Sequence, residues 1–194
     1  LTRNRARLRG FCMGLGLTCL AVGMAGPRWG RDWSQSAAPG RDVVVVVDLS
    51  RSMFCEAPTR ARQAKMALRD LSESLRLRGG HRVALVVFAG KPRVACPLTH
   101  DIDHFRDAVE ALDDANPDPT LGAGTRLGSA LLLAVQTLEG RSSRASDIIL
   151  LSDGDDPARD GEYWRGIEAA KAEGVPVLCV GIGGSALGPM VVAD

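Results

Sequence analysis

Between Asp42 and Asp48 the chain runs through five consecutive valines, DVVVVVD. Successive side chains of a strand point to opposite faces, so a strand with one face in water would alternate apolar with polar residues. An unbroken valine run has no face to spare for solvent. It reads as the central strand of a parallel sheet covered on both sides, which commits the fold to an α/β layer architecture.

The segments that follow agree with that frame. Residues 59–78 place Ala64, Leu68, Leu71 and Leu75 on one helical face, and Gly79 and Gly80 stop the helix. RVALVVFA, residues 82–89, is a second buried strand. The turn at 90–92 is too short for a crossover, so the strand at 93–97 is expected to pair antiparallel at an edge. Asp101 can cap a helix carrying Ile102, Phe105, Val109 and Leu112 on one face. Helix 127–138, strand 147–152, helix 161–173 and strand 175–181 complete the alternation. The expected fold is a doubly wound, mostly parallel sheet with one antiparallel edge strand. At 194 residues the chain has room for one such domain, over 42–194, and an appendage.

That appendage is N-terminal. Residues 11–26, FCMGLGLTCLAVGMAG, carry no charge and follow four arginines. Sixteen helical residues rise about 24 Å, short of a hydrocarbon core of about 30 Å, and flanking Leu8 and Trp29 nearly close the gap. The reading is a basic cytoplasmic flank over 1–10, a transmembrane helix over 11–29 with Trp29 and Trp33 suited to the interface, and a linker over 30–41. A cleaved signal peptide is the rival, given Gly23 and Ala25. Either way the domain is expected outside the cytoplasmic membrane.

The formal charge of +1 conceals an asymmetry. Six arginines precede the first acidic residue, Asp32, and from there 18 basic residues face 23 acidic ones, a net of −5. A nucleic-acid partner is not expected, because phosphate binding needs a basic excess. Cys55, Cys96 and Cys179 show neither zinc-ligand spacing nor a disulfide framework and read as small buried hydrophobes, with Cys55 close to the loop discussed next.

In an open parallel sheet, ligands sit beyond the carboxyl ends of the strands. Three polar clusters reach that edge: Asp48, Ser50 and Ser52 in DLSRS after the valine strand; Thr125, after Gly124 and before a helix; and Asp153 in SDGDD after 147–152. All five side chains offer oxygen. A hard cation, Mg²⁺ above all, with Mn²⁺ or Ca²⁺ as further candidates, suits such a set, whereas Zn²⁺ wants His or Cys. Two carboxylates roughly neutralise a divalent ion, leaving an open position able to attract an acidic group of a partner protein.

These motifs, DxSxS, the Thr of GTRLGSAL and the Asp of LLSDGDD, resemble the metal-ion-dependent adhesion site of von Willebrand factor A domains. The resemblance covers about residues 42–183. It implies that Ser50, Ser52 and Thr125 contact the metal directly or through water, with Asp48 and Asp153 acting from behind them. A narrower resemblance, carried by PRWG, RDVVVVVDLSRSM, VALVVFAG and CPLTHD, is to bacterial aerotolerance (Bat-type) membrane proteins. It implies a domain outside the cytoplasmic membrane, with other Bat-type proteins and a MoxR-type AAA+ ATPase as partners. Arg51 departs from the Gly usual in DxSGS. The closing strand and helix of a complete A domain are not evident after GIGGSALGPMVVAD, so the C-terminal end reads as truncated.

For Asp48 or Asp153 alone, capping of the following turn is the simpler account; the five residues together argue for the metal. Asp155 and Asp156 read as a solvated helix lead-in. His81, His100 and His104 read as surface residues, and Trp164 with Ile167 as core. The expected role is non-enzymatic. The alternatives are a metal-free scaffold and a Mg²⁺-dependent phosphohydrolase of haloacid-dehalogenase type with Asp48 as nucleophile. The second lacks an Asp two residues on, where Ser50 stands.

Overall fold

The computed structural model describes residues 13–18, 20, 40–55, 58–139, 145–154, 161–183 and 189–191, the last by backbone alone. The chain divides into two units, Leu1–Ser36 and Ala37–Asp194. In the first, residues 13–18 and 20 are helical and exposed. Most of the expected span 11–29, all of the flank 1–10 and the linker up to residue 39 lie outside the described residues. Among the described residues no helix is long and apolar enough to cross a membrane, so the expected transmembrane helix has no support there.

The second unit is an α/β sandwich. Its elements are β1 (Asp42–Asp48), α1 (Arg60–Arg78), β2 (Arg82–Phe88), β3 (Pro92–Thr99), α2 (Ile102–Glu110), α3 (Leu127–Thr137), β4 (Ser146–Ser152), α4 (Tyr163–Ala172), β5 (Val177–Gly181) and β6 (Pro189–Val191). The sheet order is β3-β2-β1-β4-β5-β6. β1 lies parallel between β2 and β4, with Val45 opposite Leu85 on one side and Ile149 on the other. β-Branched valines suit this doubly flanked position because their stiff side chains pack well on a pleated surface.

The valine run serves two cores. Val43, Val45 and Val47 pack with Ala64 and Leu68 of α1 and Phe105 and Val109 of α2. Val44 and Val46 pack with Ala130, Leu131 and Ala134 of α3 and Ala170 of α4. No valine of the run is more than 7% exposed, and full burial stabilises by about 1.5–3 kcal/mol per side chain. At the opposite end of the sheet from the carboxyl edge, fully buried Asp42 is paired with Arg82, whose Nε donates to Asp42 Oδ1 over 2.8 Å.

Local signals set the helix ends. Thr59 Oγ1 accepts from the Arg62 amide, and Gly79, at φ +65°, caps the far end of α1. Asp101 accepts from the His104 amide to start α2. β3 pairs antiparallel with β2 at the edge, as its short connection requires. The expectation of a single antiparallel edge strand needs correction, because β6 pairs antiparallel with β5 at the other edge. Fewer than a dozen residues join β5 to β6, too few for a parallel crossover.

Candidate metal centre

β1 is the point at which strand order reverses, since its neighbours β2 and β4 lie on opposite sides. Its last residue, Asp48, is fully buried. Oδ1 accepts the Ser50 amide hydrogen over 2.8 Å, and Oδ2 accepts the Ser152 hydroxyl over 2.8 Å. The loop behind it is held from below. The Leu49 amide donates to Phe88 O over 2.7 Å, continuing the β1 and β2 pairing, and fully buried Met53 anchors the 3-10 turn Arg51–Phe54. With Leu49 and Met53 in the core, Ser50 and Ser52 come together, their hydroxyls 3.0 Å apart.

Burial pushes the Asp48 carboxyl above its ordinary range, and the nearby Asp153 charge adds to that. The hydrogen bonds from Ser50 and Ser152 pull it back. Asp153 follows β4, with its side chain only 2% exposed, and Oδ2 accepts from Arg60 Nη1 over 2.9 Å. Gly154, at φ +80°, turns its amide back onto Ser152 Oγ at 3.1 Å. Ser152 thus accepts from one loop and donates to the other.

Thr125 sits at the same edge on a separate loop and is 9% exposed. That loop is seated on the turn after β2: the Arg126 amide donates to Ala89 O over 2.8 Å. A Cβ at Gly90 would stand 2.3 Å from Ala123 O, so only glycine permits the approach. α3 then begins, and its first amides are met by a side chain from elsewhere. Glu162 accepts from the Gly128 and Ser129 amides at 3.2 and 2.9 Å and from the Ser129 hydroxyl.

Of the five residues singled out from the sequence, Asp48, Ser50 and Ser52 are therefore joined by direct hydrogen bonds. Asp153 is coupled to Asp48 through charge and through its neighbour Ser152. Thr125 shares the edge without bonding to the others. Sequence reasoning missed Ser152, Arg60 and Glu162. A hydroxyl directly after the aliphatic run Ile148–Leu151 was the available signal for Ser152; the other two carry no local signature.

Two minor expectations change. Cys96 is buried, but Cys55 is exposed. Trp164 is 57% exposed, its ring centroid 5.2 Å from that of Tyr163, while Ile167 does pack on the second core. A flat aromatic at that helical position lies beside the apolar stripe instead of within it.

The donor set suits a hard divalent cation. Asp48 is a buried carboxylate whose oxygens accept from the Ser50 amide and the Ser152 hydroxyl. Among the described residues no three His, Cys, Asp or Glu side chains gather as a metal cluster. Here hydroxyls of Ser50, Ser52 and Thr125 outnumber the carboxylates, a pattern for Mg²⁺-like ions and not for Zn²⁺.

Residues 43–155 match the von Willebrand factor type A domain. A UPF0353 protein of Mycolicibacterium paratuberculosis is 30% identical over 157 residues, 73% of this chain and 44% of the relative. The chain spans about half the length of the curated relatives it matches, 48% and 44%. Among solved structures, an aerotolerance-related membrane protein from Bacteroides fragilis superposes with a TM-score of 0.66 at 22% identity, covering 80% of this chain and 74% of that one. The conserved hypothetical protein BatB from Bacteroides thetaiotaomicron gives 0.64 at 22% identity, covering 79% and 82%. At such identities these two structures speak to the fold alone. The valine strand, the two-faced core and the match across 43–155 converge on one assignment: this chain belongs to the von Willebrand factor type A domain family.

Proposed function

We propose that this chain is a protein-binding module that holds one divalent cation, Mg²⁺ by preference, at Asp48, Ser50, Ser52, Thr125 and Asp153, and captures an acidic group of a partner protein there. The observation that carries the reading is Asp48, a fully buried carboxylate at the strand-order switch with two serine hydroxyls 3.0 Å apart on the adjoining loop. Such a carboxylate is costly to keep ionised without a cation. When bound, the cation supplies a Lewis-acidic point for a partner's carboxylate.

The chain's own residues do the rest. Ser50 and Ser152 orient both oxygens of Asp48, Met53 fixes the loop, and the Gly90 turn seats the loop of Thr125. One structural neighbour is described as an aerotolerance-related membrane protein, which supports membrane association as the location to test; an outward-facing domain is part of the proposal. Other Bat-type proteins and a MoxR-type ATPase are the partners to test first.

Titration calorimetry of the whole chain with Mg²⁺ and with Mn²⁺ tests the metal. One saturable site, weakened in both Ser50→Ala and Thr125→Ala variants that remain folded, is the expected result. Absence of binding by the folded wild-type chain would leave a metal-free scaffold.

A further inference from the structure

α3 starts at Leu127, just beyond Thr125, and its own sequence does not cap it: Arg126, at the N-cap position, makes no side-chain cap hydrogen bond. The first amides of a helix have no partner within it. Here the Arg126 amide goes back to Ala89 O over 2.8 Å, and the Ala130 amide returns to Arg126 O over 3.1 Å. Between them, the Gly128 and Ser129 amides go to the two carboxylate oxygens of Glu162, at 3.2 and 2.9 Å. The Ser129 hydroxyl donates to the same carboxylate. Glu162, at the start of α4, thus does for α3 what an N-cap side chain ordinarily does. Packing holds it there. A Cβ at Gly128 would stand 2.1 Å from Glu162 O, and one at Gly166 would stand 2.8 Å from Gly128 O, so α3 and α4 meet at a distance that only glycine permits.

Resting on the metal-site reading above, we propose that Glu162 is a positioning residue of the metal centre, which sets the Thr125 hydroxyl for the ion by capping α3 from α4. Asp48, Ser50 and Ser52 are held by hydrogen bonds among themselves and to Ser152. Thr125 has no such bond to the other candidate ligands, so its place depends on how its loop is gripped. Ala89 grips the loop at Arg126, and Glu162 grips the two amides that open the helix beyond it. Without the carboxylate the first turn of α3 frays and Thr125 moves, while the Asp48 loop keeps its own bonds. The influence of Glu162 on the ion therefore runs through Thr125, which separates positioning from a contribution of its charge or of general stability.

A double-mutant cycle on the whole chain tests this. Mn²⁺ is titrated into wild type, Glu162→Ala, Thr125→Ala and the double variant, each checked for folding by circular dichroism. Glu162→Ala should weaken Mn²⁺ binding about tenfold, as loss of a ligand's support does. Glu162→Gln, which keeps one oxygen to accept, should weaken it less. In the Thr125→Ala background, removing Glu162 should change the dissociation constant by less than about twofold. A folded Glu162→Ala that binds Mn²⁺ like wild type overturns the proposal, and so does a loss from Glu162→Ala that is as large without the Thr125 hydroxyl as with it. Should Glu162→Ala not fold, the same cycle with Glu162→Gln decides by the same criterion. Failure of the underlying metal reading looks different: the folded wild type then gives no saturable Mn²⁺ binding, and both readings fall.

Discussion

The Ser152 hydroxyl donates to Asp48 Oδ2 across 2.8 Å, a bond between residues 104 positions apart that ties the exit of β4 to the exit of β1. It turns two adjacent strand ends into one polar platform, because Ser152 also accepts from the Gly154 amide beneath Asp153. Replacing Ser152 by Ala removes the hydroxyl that donates to Oδ2 of a buried carboxylate. We expect a loss of about 2 kcal/mol in urea-induced unfolding, together with weaker Mg²⁺ binding as the Asp48 carboxylate loses its fixed orientation. Unchanged stability would mean that water replaces the hydroxyl.

Asp48→Asn should act in opposite directions on stability and binding. Burial holds the Asp48 carboxyl above its ordinary value. A group raised in this way contributes stability fully below its unfolded value and loses it as pH rises through the raised folded value. The metal-free wild type therefore carries a penalty at neutral pH that the amide lacks. The variant is expected to be more stable by about 1 kcal/mol at pH 7, an advantage that shrinks as pH falls into the carboxylate range. Added Mg²⁺ should raise the unfolding midpoint of the wild type alone. Thermal unfolding with and without Mg²⁺ at several pH values checks both signs.

At Gly90 the neighbouring loop leaves no room for a side chain, the would-be Cβ standing 2.3 Å from Ala123 O. Gly90→Ala should push away the loop that carries Thr125, with a destabilisation of about 1–3 kcal/mol and a larger fractional loss of Mg²⁺ affinity than of helix content. Calorimetry and circular dichroism on the same sample separate the two.

The Asp42 and Arg82 pair lies at the opposite end of β1 from the candidate metal centre. Arg82→Met would leave Asp42 buried without its cation, at a cost of about 3 kcal/mol, while the fraction that remains folded should bind Mg²⁺ as before. Denaturant unfolding, with metal titration under stabilising conditions, tests this separation.

Thiol chemistry should sort the cysteines of the domain. Cys55 is exposed, whereas Cys96 is buried and its thiol is pushed up by that burial, with the Asp101 charge adding to the shift. Brief treatment with iodoacetamide at neutral pH, mapped by mass spectrometry, should label Cys55 and spare Cys96 until the chain is unfolded.

Much of this architecture was written locally. Five valines needed two covered faces, and Val43 to Val47 do alternate between two cores. The three-residue turn before Pro92 required an antiparallel partner, which β2 provides. Asp48, Ser50 and Ser52 were foreseeable as a group because two-residue spacing after a strand sets them side by side. The exposed Trp164 and the second antiparallel edge at β6 were not, because helical spacing does not say where an apolar stripe ends and a strand does not name its neighbour.

Sequence alone thus determined the central strand, the alternation of layers and the oxygen-rich loops, all of which follow from periodicities and turns only a few residues long. The tertiary structure alone decided that Ser152 serves Asp48, that Arg60 pairs with Asp153 and that Glu162 receives the first amides of α3. Those partners lie 104, 93 and 33 positions apart. They meet only because sheet register and helix packing bring distant chain segments to one edge, and no local pattern of residues encodes that distance.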